Sequence, residues 1–292
     1  MNIGLAGVGR MGVGIAARLQ EVGHRVTVWN RSADKLKPLA ALGIKAVNAP
    51  MDLTGGNEVI ISILTDAAAI DAVYGGDGGL LSGNIEGKLF IDMSTVRPET
   101  PKALAEKLRA KGAAFVESPV GGSTGPARQG KLLGLVGAEP ADFARAKPIL
   151  DQLCRRVEHC GPVGSGAVMK FTINLPLMIY WQALGEALAL CRDLKLDPVR
   201  LMDLISDTSG GANVLKVRGA AIAAKLKGTD TGPVTFDLDG GMKDMRAMIA
   251  EGKARGIELP LVERALVCYE EAEKKGMGGE EVSLMSAYWA RR

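Results

Sequence analysis

Only two histidines, His24 and His159, and four cysteines, Cys154, Cys160, Cys191 and Cys268, occur in the 292 residues. No pair of the cysteines has C-x-x-C spacing, so neither a structural zinc site nor a disulfide framework is expected, and no metal is assigned. The two histidines lie far apart in sequence with no motif around either, which makes a histidine-based triad a poor fit. Acid or base chemistry has to come from another group. Long apolar runs are missing too: charge or glycine interrupts each within about 12 residues, short of the ~20 that span a bilayer. The opening MNIGLAGVG lacks the cationic stretch and cleavage site of a secretory signal, so the chain reads as cytoplasmic. The formal net charge is only +3, with no concentrated basic patch for nucleic acid or an anionic membrane. What is present is 47% hydrophobic and 24% charged residues with 38 glycines, the balance of a globular, turn-rich chain long enough for two domains.

The first half alternates short apolar runs with helical patterns. Strands are expected at 2–6, 25–30, 58–64, 89–94, 114–118 and 132–137, and helices at 10–22, 34–42, 98–111 and 140–152. That alternation indicates crossover units and a mostly parallel sheet. After Gly166 the pattern changes to long helical stretches, beginning with an apolar helix over 166–194 that Pro176 should kink by removing a backbone donor. The boundary is placed at 163, giving domains 1–163 and 164–292.

Gly7, Gly9 and Gly12 form G-x-G-x-x-G between the first strand and the first helix. In that context the three glycines serve a tight turn, a close backbone approach to a pyrophosphate, and close packing of helix on sheet, with the anion at the positive helix end. The fold class is therefore α/β, a Rossmann-type doubly wound parallel sheet, followed by an all-α C-terminal domain. Where an NAD enzyme presents an acid to the ribose 2′-hydroxyl, this chain has Asn30, Arg31 and Ser32, with Lys35 one turn further. An acid repels a 2′-phosphate, whereas an amide, a guanidinium and a hydroxyl donate to one, which favours NADP. NAD is the alternative, with Arg31 then a solvated turn residue.

Two further loops, DMSTVRP at 92–98 and ESPVGGSTGPARQGKL at 117–132, follow strands and should face the cofactor. Gly121, Gly122 and Ser123 expose backbone donors and a hydroxyl, either a nest for a carboxylate or a plain turn. Lys170 and Asn174 stand four apart in the apolar run GAVMKFTINL, on one face of the expected long helix.

These four ordered motifs, GVGRMG at 7–12, DMSTVRP at 92–98, SPVGGSTGPARQGKL at 118–132 and GPVGSGAVMKFTIN at 161–174, resemble those of the β-hydroxyacid dehydrogenases. That family includes 3-hydroxyisobutyrate dehydrogenases, tartronate semialdehyde reductases and succinic semialdehyde reductases. The resemblance covers nearly the whole chain. It implies an NADP(H)-dependent enzyme that interconverts a small 3- or 4-hydroxyacid and its semialdehyde, with Lys170 as the catalytic lysine and Asn174 as its substrate-orienting partner. It places Gly7, Gly9, Arg10, Met11 and Gly12 at the pyrophosphate, Asn30, Arg31 and Ser32 at the adenosine phosphate, and Leu64, Thr65 and Thr95 toward the ribose and nicotinamide. In FDLDGGMKDM it implies Phe236 closing over the substrate, Lys243 meeting the cofactor and Asp244 near the reaction. It also implies a homodimer or homotetramer formed through the helical domain.

The chain departs from the family at Gly121, where a serine hydroxyl usually contacts the substrate carboxylate. Relatives that reduce sulfolactaldehyde also carry glycine there, but follow it with an arginine where this chain has Gly122. The competing readings are a reductase of a sulfonated aldehyde, an imine reductase, and a non-catalytic NADP-binding scaffold. Scaffold relatives lack the lysine, and the imine reductases typically use another proton donor at this site.

Overall fold

The computed structural model describes all 292 residues. They form two compact units, Met1–Phe171 and Thr172–Arg292. The division falls inside one long helix.

The first unit is built from strands and helices in alternation. In chain order they are β1 (Asn2–Ala6), α1 (Arg10–Glu21), β2 (Arg25–Trp29), α2 (Lys37–Ala40), β3 (Lys45–Ala46), β4 (Val59–Ser62), α3 (Ala67–Gly75), β5 (Leu89–Asp92) and α4 (Glu99–Arg109). They continue with β6 (Ala114–Glu117), β7 (Val120–Gly121), α5 (Thr124–Gln129), β8 (Leu132–Gly137), α6 (Pro140–Leu153), β9 (Cys154–Gly161) and α7 (Ser165–Leu190). The hydrogen-bonded order is β3-β2-β1-β4-β5-β6-β8-β7, with β9 on β8. β6 and β7 are one strand line broken at Ser118–Pro119: Glu117 faces Gly137, Val120 faces Gly134 and Gly121 faces Leu133 in a single antiparallel register against β8.

Strand side chains alternate between two cores because successive residues point to opposite faces. Ile61, Ile91 and Val116 pack with Ile15 and Leu19 of α1 and Ile149, Leu150 and Leu153 of α6. Their neighbours Ile60, Phe90 and Phe115 pack with Ile70 and Tyr74 of α3 and Leu104 and Leu108 of α4. A sheet covered on both faces explains the nearly continuous apolar runs VIIS and LFID.

Several features depart from the expectations, among them β3, α3, β7 and α5, none of which the sequence reading includes. The helix read at 34–42 is a 3₁₀ turn, Ala33–Leu36, followed by the single turn of α2. Pro38 at the start of α2 has no N–H to extend the preceding turn. β9 has no counterpart in the sequence reading. Its residues CRRVEHCG are polar and largely exposed or half-buried, as an edge strand allows. Finally, the helix read at 166–194 is α7, Ser165–Leu190 with Pro176 inside it, and Arg192–Leu194 form a separate 3₁₀ turn.

The second unit comprises the rest of α7 with α8 (Pro198–Ser206), α9 (Asn213–Lys227), α10 (Leu238–Ala254), α11 (Pro260–Ala272) and α12 (Met285–Ala290). Its core gathers Met178, Trp181, Leu184 and Leu188 of α7 with Met242, Met245, Tyr269 and Met285. Gly185 lets α12 approach α7 closely, since a Cβ there would lie 2.7 Å from Cβ of Trp289. No helix is long and apolar enough to cross a membrane.

Candidate active site

The glycine turn divides the three roles as the motif requires. Gly7 has φ +97°, and a Cβ on it would lie 2.3 Å from the carbonyl oxygen of Ile63. Only glycine tolerates both the positive φ and that approach. A Cβ at Gly12 would lie 2.1 Å from the carbonyl oxygen of Gly7, so its bareness lets α1 close on the turn. Around Gly9 a Cβ would meet nothing within 4 Å. That open side, at the N-terminus of α1, is where a pyrophosphate can reach the backbone N–H groups. The residues present therefore fit a dinucleotide.

Asn30 ties the end of β2 to this turn. The Val8 N–H donates to its Oδ1 at 3.0 Å, and its Nδ2 donates to the Ser32 carbonyl at 2.9 Å. One amide hydrogen of Asn30 is then left for a ligand, because a carboxamide has two. Arg31, Ser32 and Lys35 are all exposed, while the intervening Asp34 is paired with Lys37 at 2.6 Å.

At the carboxyl edge of the sheet one rung runs through Trp29, Ala6, Ser62, Asp92 and Glu117 in register. Asp92 is 1% exposed, and its Oδ1 accepts from the hydroxyls of Ser62 at 2.6 Å and Ser94 at 2.8 Å. The Ser94 oxygen in turn accepts from the Leu64 N–H at 2.9 Å. This chain of bonds fixes the loops that carry Leu64, Thr65 and Thr95. Sequence reasoning missed Ser62, Ser94, Asp92 and Glu117. The available signal was an acid closing each of two apolar strands, LFID and AFVE.

Burial sets the ionisation of these two acids. Desolvation pushes the Asp92 carboxyl up to about 6 against the opposing pull of the Ser62 and Ser94 bonds. It pushes Glu117 up to about 7 against three backbone N–H bonds, with the Asp92 charge adding to the rise. Both folded values lie above the ordinary carboxylate range, so each acid contributes stability that is complete below pH ~4 and is lost as pH rises through 6 and 7. Asp92→Asn keeps an oxygen for the two hydroxyls and removes the titration. The urea midpoint of this variant relative to the parent should therefore improve between pH 5 and pH 7.5, and an unchanged difference would contradict this account.

The loop after β6 carries Gly121 and Gly122, followed by Ser123 at the start of α5. Gly122 has φ +117°, and a Cβ there would crowd Leu132 and Pro126 at 3.0 and 3.3 Å. An arginine at this position would be strained.

Lys170 and Asn174 are one turn apart on α7 and only 8% and 7% exposed. In the second unit, Asn174 Nδ2 donates to Asp244 Oδ2 at 3.0 Å, and Lys243 Nζ lies 2.9 Å from Asp244 Oδ1. One buried carboxylate thus holds the Asn174 amide and meets the Lys243 ammonium, joining three residues that the sequence reading singled out separately. Phe236 stands in the segment entering α10, where Glu281 Oε2 accepts from the N–H groups of Thr235 at 2.7 Å and Phe236 at 3.3 Å. A Cβ on Gly240 would lie 2.8 Å from the Phe236 ring, so the ring rests on the first turn of α10.

Comparison with known proteins agrees with this architecture. Residues 2–161 match the family model described as the NAD binding domain of 6-phosphogluconate dehydrogenase, and residues 164–289 match the one described as NAD-binding of NADP-dependent 3-hydroxyisobutyrate dehydrogenase. The chain is 32% identical over 283 residues to glyoxylate/succinic semialdehyde reductase 1 of Arabidopsis thaliana, covering 97% of this chain and 96% of that protein. It is 38% identical over 211 residues to 3-hydroxyisobutyrate dehydrogenase of Pseudomonas aeruginosa, covering 72% and 70%. A crystal structure of 3-hydroxyisobutyrate dehydrogenase from Salmonella typhimurium shares the fold with a TM-score of 0.88 at 22% identity, covering 99% of both chains. The chain belongs to the β-hydroxyacid dehydrogenase family and is an NAD(P)-dependent hydroxyacid dehydrogenase. The match over the second unit to the domain of an NADP-dependent enzyme supports NADP binding by this chain.

Proposed function

We propose that the chain is an NADP(H)-dependent reductase of small semialdehydes that carry an anionic group, working reversibly on the matching 3- or 4-hydroxyacid with Lys170 as general acid and base. The observation that carries this reading is the buried pair on α7: an amine and a carboxamide four residues apart, the carboxamide already oriented by Asp244. The nicotinamide, when bound, supplies or accepts the hydride. The carbonyl oxygen gains negative charge as it is reduced, and a lysine ammonium can both stabilise that charge and donate the proton. In oxidation the neutral amine takes the alcohol proton. Asn174, held by Asp244, orients the substrate oxygen for this transfer, and Phe236 closes over the substrate.

Backbone N–H groups of Gly121 and Gly122 together with the Ser123 hydroxyl bind the substrate anion. Gly7, Gly9, Arg10, Met11 and Gly12 hold the pyrophosphate, while Asn30, Arg31, Ser32 and Lys35 hold the adenosine phosphate. Leu64, Thr65, Thr95 and Lys243 complete the cofactor side. Exposed apolar residues of the helical unit, Leu190 at 91% and Val217 at 73%, support self-association through it, as a homodimer or homotetramer.

Turnover of a panel of C3 and C4 semialdehydes with NADPH, including a sulfonated aldehyde and a cyclic imine, tests the reading. Aldehyde acids should be reduced fastest, and turnover of the imine alone would overturn it. Gly121→Ser should narrow the range of anions accepted, because a fixed hydroxyl replaces an adaptable backbone cradle. An identical substrate profile in that variant would remove Gly121 from the site.

A further inference from the structure

We propose that Glu117 is a positioning residue for this reaction, tying the start of the lysine-bearing helix to the strand that leads into the anion-binding loop. The proposal rests on the reductase reading above. Glu117 ends β6, three residues before the β7 segment that contains Gly121. Its Oε1 accepts N–H bonds from Gly164 at 2.7 Å, Gly166 at 2.7 Å and Ala167 at 3.3 Å, all at the entry to α7. Lys170 follows one turn later on the same helix.

The fit around this carboxylate is close. A Cβ on Gly137 would stand 2.2 Å from Glu117 Oε1, and one on Gly166 would stand 2.4 Å from the carbonyl oxygen of Leu135 and 3.1 Å from Oε1. Two bare glycines therefore let β8, the acid and the first turn of α7 meet without a side chain between them. The N–H groups at a helix start have no partner within the helix, so an acceptor here satisfies them and fixes the helix origin. A negative charge at that end is favoured by the helix dipole. The other oxygen, Oε2, is buried with no hydrogen-bond partner. Every bond that Glu117 makes through its side chain thus goes to the helix entry. One acid sets the origin of the segment that carries the proton donor, and the loop for the substrate anion begins at the next residue. A displacement of ~1 Å in such a constellation can cost ~10²-fold in rate.

The test uses turnover counted per NADPH-binding site, with amide hydrogen exchange as a second measurement. Glu117→Ala should lower kcat by at least ~10-fold while the NADPH dissociation constant stays within ~2-fold, because the glycine turn and the β2 end bind the cofactor elsewhere. Glu117→Gln, which keeps an oxygen for the three N–H groups, should recover kcat to within ~3-fold of the parent. A merely structural acid would lower the number of binding sites and leave kcat per site alone. Retained kcat per site in Glu117→Ala, or an equal loss in both variants, would overturn the proposal. If the alanine variant does not fold, Glu117→Asp carries the comparison. Its oxygens are drawn back by one carbon, so it should lose turnover that Glu117→Gln keeps, and the opposite order would overturn the proposal. If the parent reduces no aldehyde at all, the reductase reading falls, and the tether is judged by exchange alone. Faster exchange of the Gly164, Gly166 and Ala167 amides in a Glu117 variant upholds it, and unchanged exchange refutes it.

Discussion

Replacing Lys170 by alanine should lower turnover of the best aldehyde by ~10²- to 10⁴-fold, the range for a lost general acid, or more if charge stabilisation is lost with it. NADPH affinity should barely change, since the glycine turn and the β2 end bind it independently of the helix. Asn174→Ala should be milder and should also raise the Michaelis constant, because an orienting hydrogen bond is made in both ground and transition states. A lysine that merely decorated a helix surface would leave turnover nearly normal. Its 8% exposure already speaks against such a role. A folded Lys170→Ala protein working within a few fold of the parent would remove the mechanism.

Arg31→Asp should reverse cofactor preference. The guanidinium is exposed at the end of β2 and the one acid nearby in sequence, Asp34, is paired with Lys37. A 2′-phosphate gains charge-assisted hydrogen bonds from a guanidinium that a 2′-hydroxyl cannot use fully. An aspartate in its place repels the phosphate and accepts from the hydroxyl. The NADPH-to-NADH affinity ratio should therefore fall by ~10- to 100-fold or more, through loss of one charged contact and gain of a repulsive one. Dissociation constants measured by fluorescence titration for both nucleotides decide the matter. Equal affinities in the unmutated protein would refute a phosphate site at Arg31.

Much of the first unit was legible because its constraints are local. A turn that demands φ +97° and a carbonyl 2.3 Å from a would-be Cβ accepts only glycine, so Gly7 is visible in the sequence. The buried strands were visible for the same kind of reason, since a parallel sheet covered on both faces needs unbroken apolar runs. β9 was hidden because an edge strand half in solvent carries no such signature. The helix expected at 34–42 was over-read because Pro38 splits it into two single turns. Lys170 and Asn174 could be paired by spacing alone, whereas the Asn174–Asp244 bond spans 70 residues and follows from the packing of α10 on α7. Asp92 and Glu117 each close an apolar strand in the sequence, but an acid at a strand end is ordinarily solvated, so that signal did not mark them as buried. Only the sheet register reveals that these two are buried on one rung.

The sheet order has a consequence for how such a protein can diversify. The β2 end, which carries Arg31 and Ser32, and the β6–β7 line, which carries Gly121 and Gly122, are separated by β1, β4 and β5. Four interstrand steps make roughly 19 Å at ~4.8 Å each. Changes that far apart with no shared partners combine almost additively. With the nucleotide read at the β2 end and the acid at the β6–β7 line, as proposed above, a lineage could exchange one nucleotide for another without retuning the acid, and alter the acid without disturbing the nucleotide. The two traits are inherited on separate loops of one rigid frame.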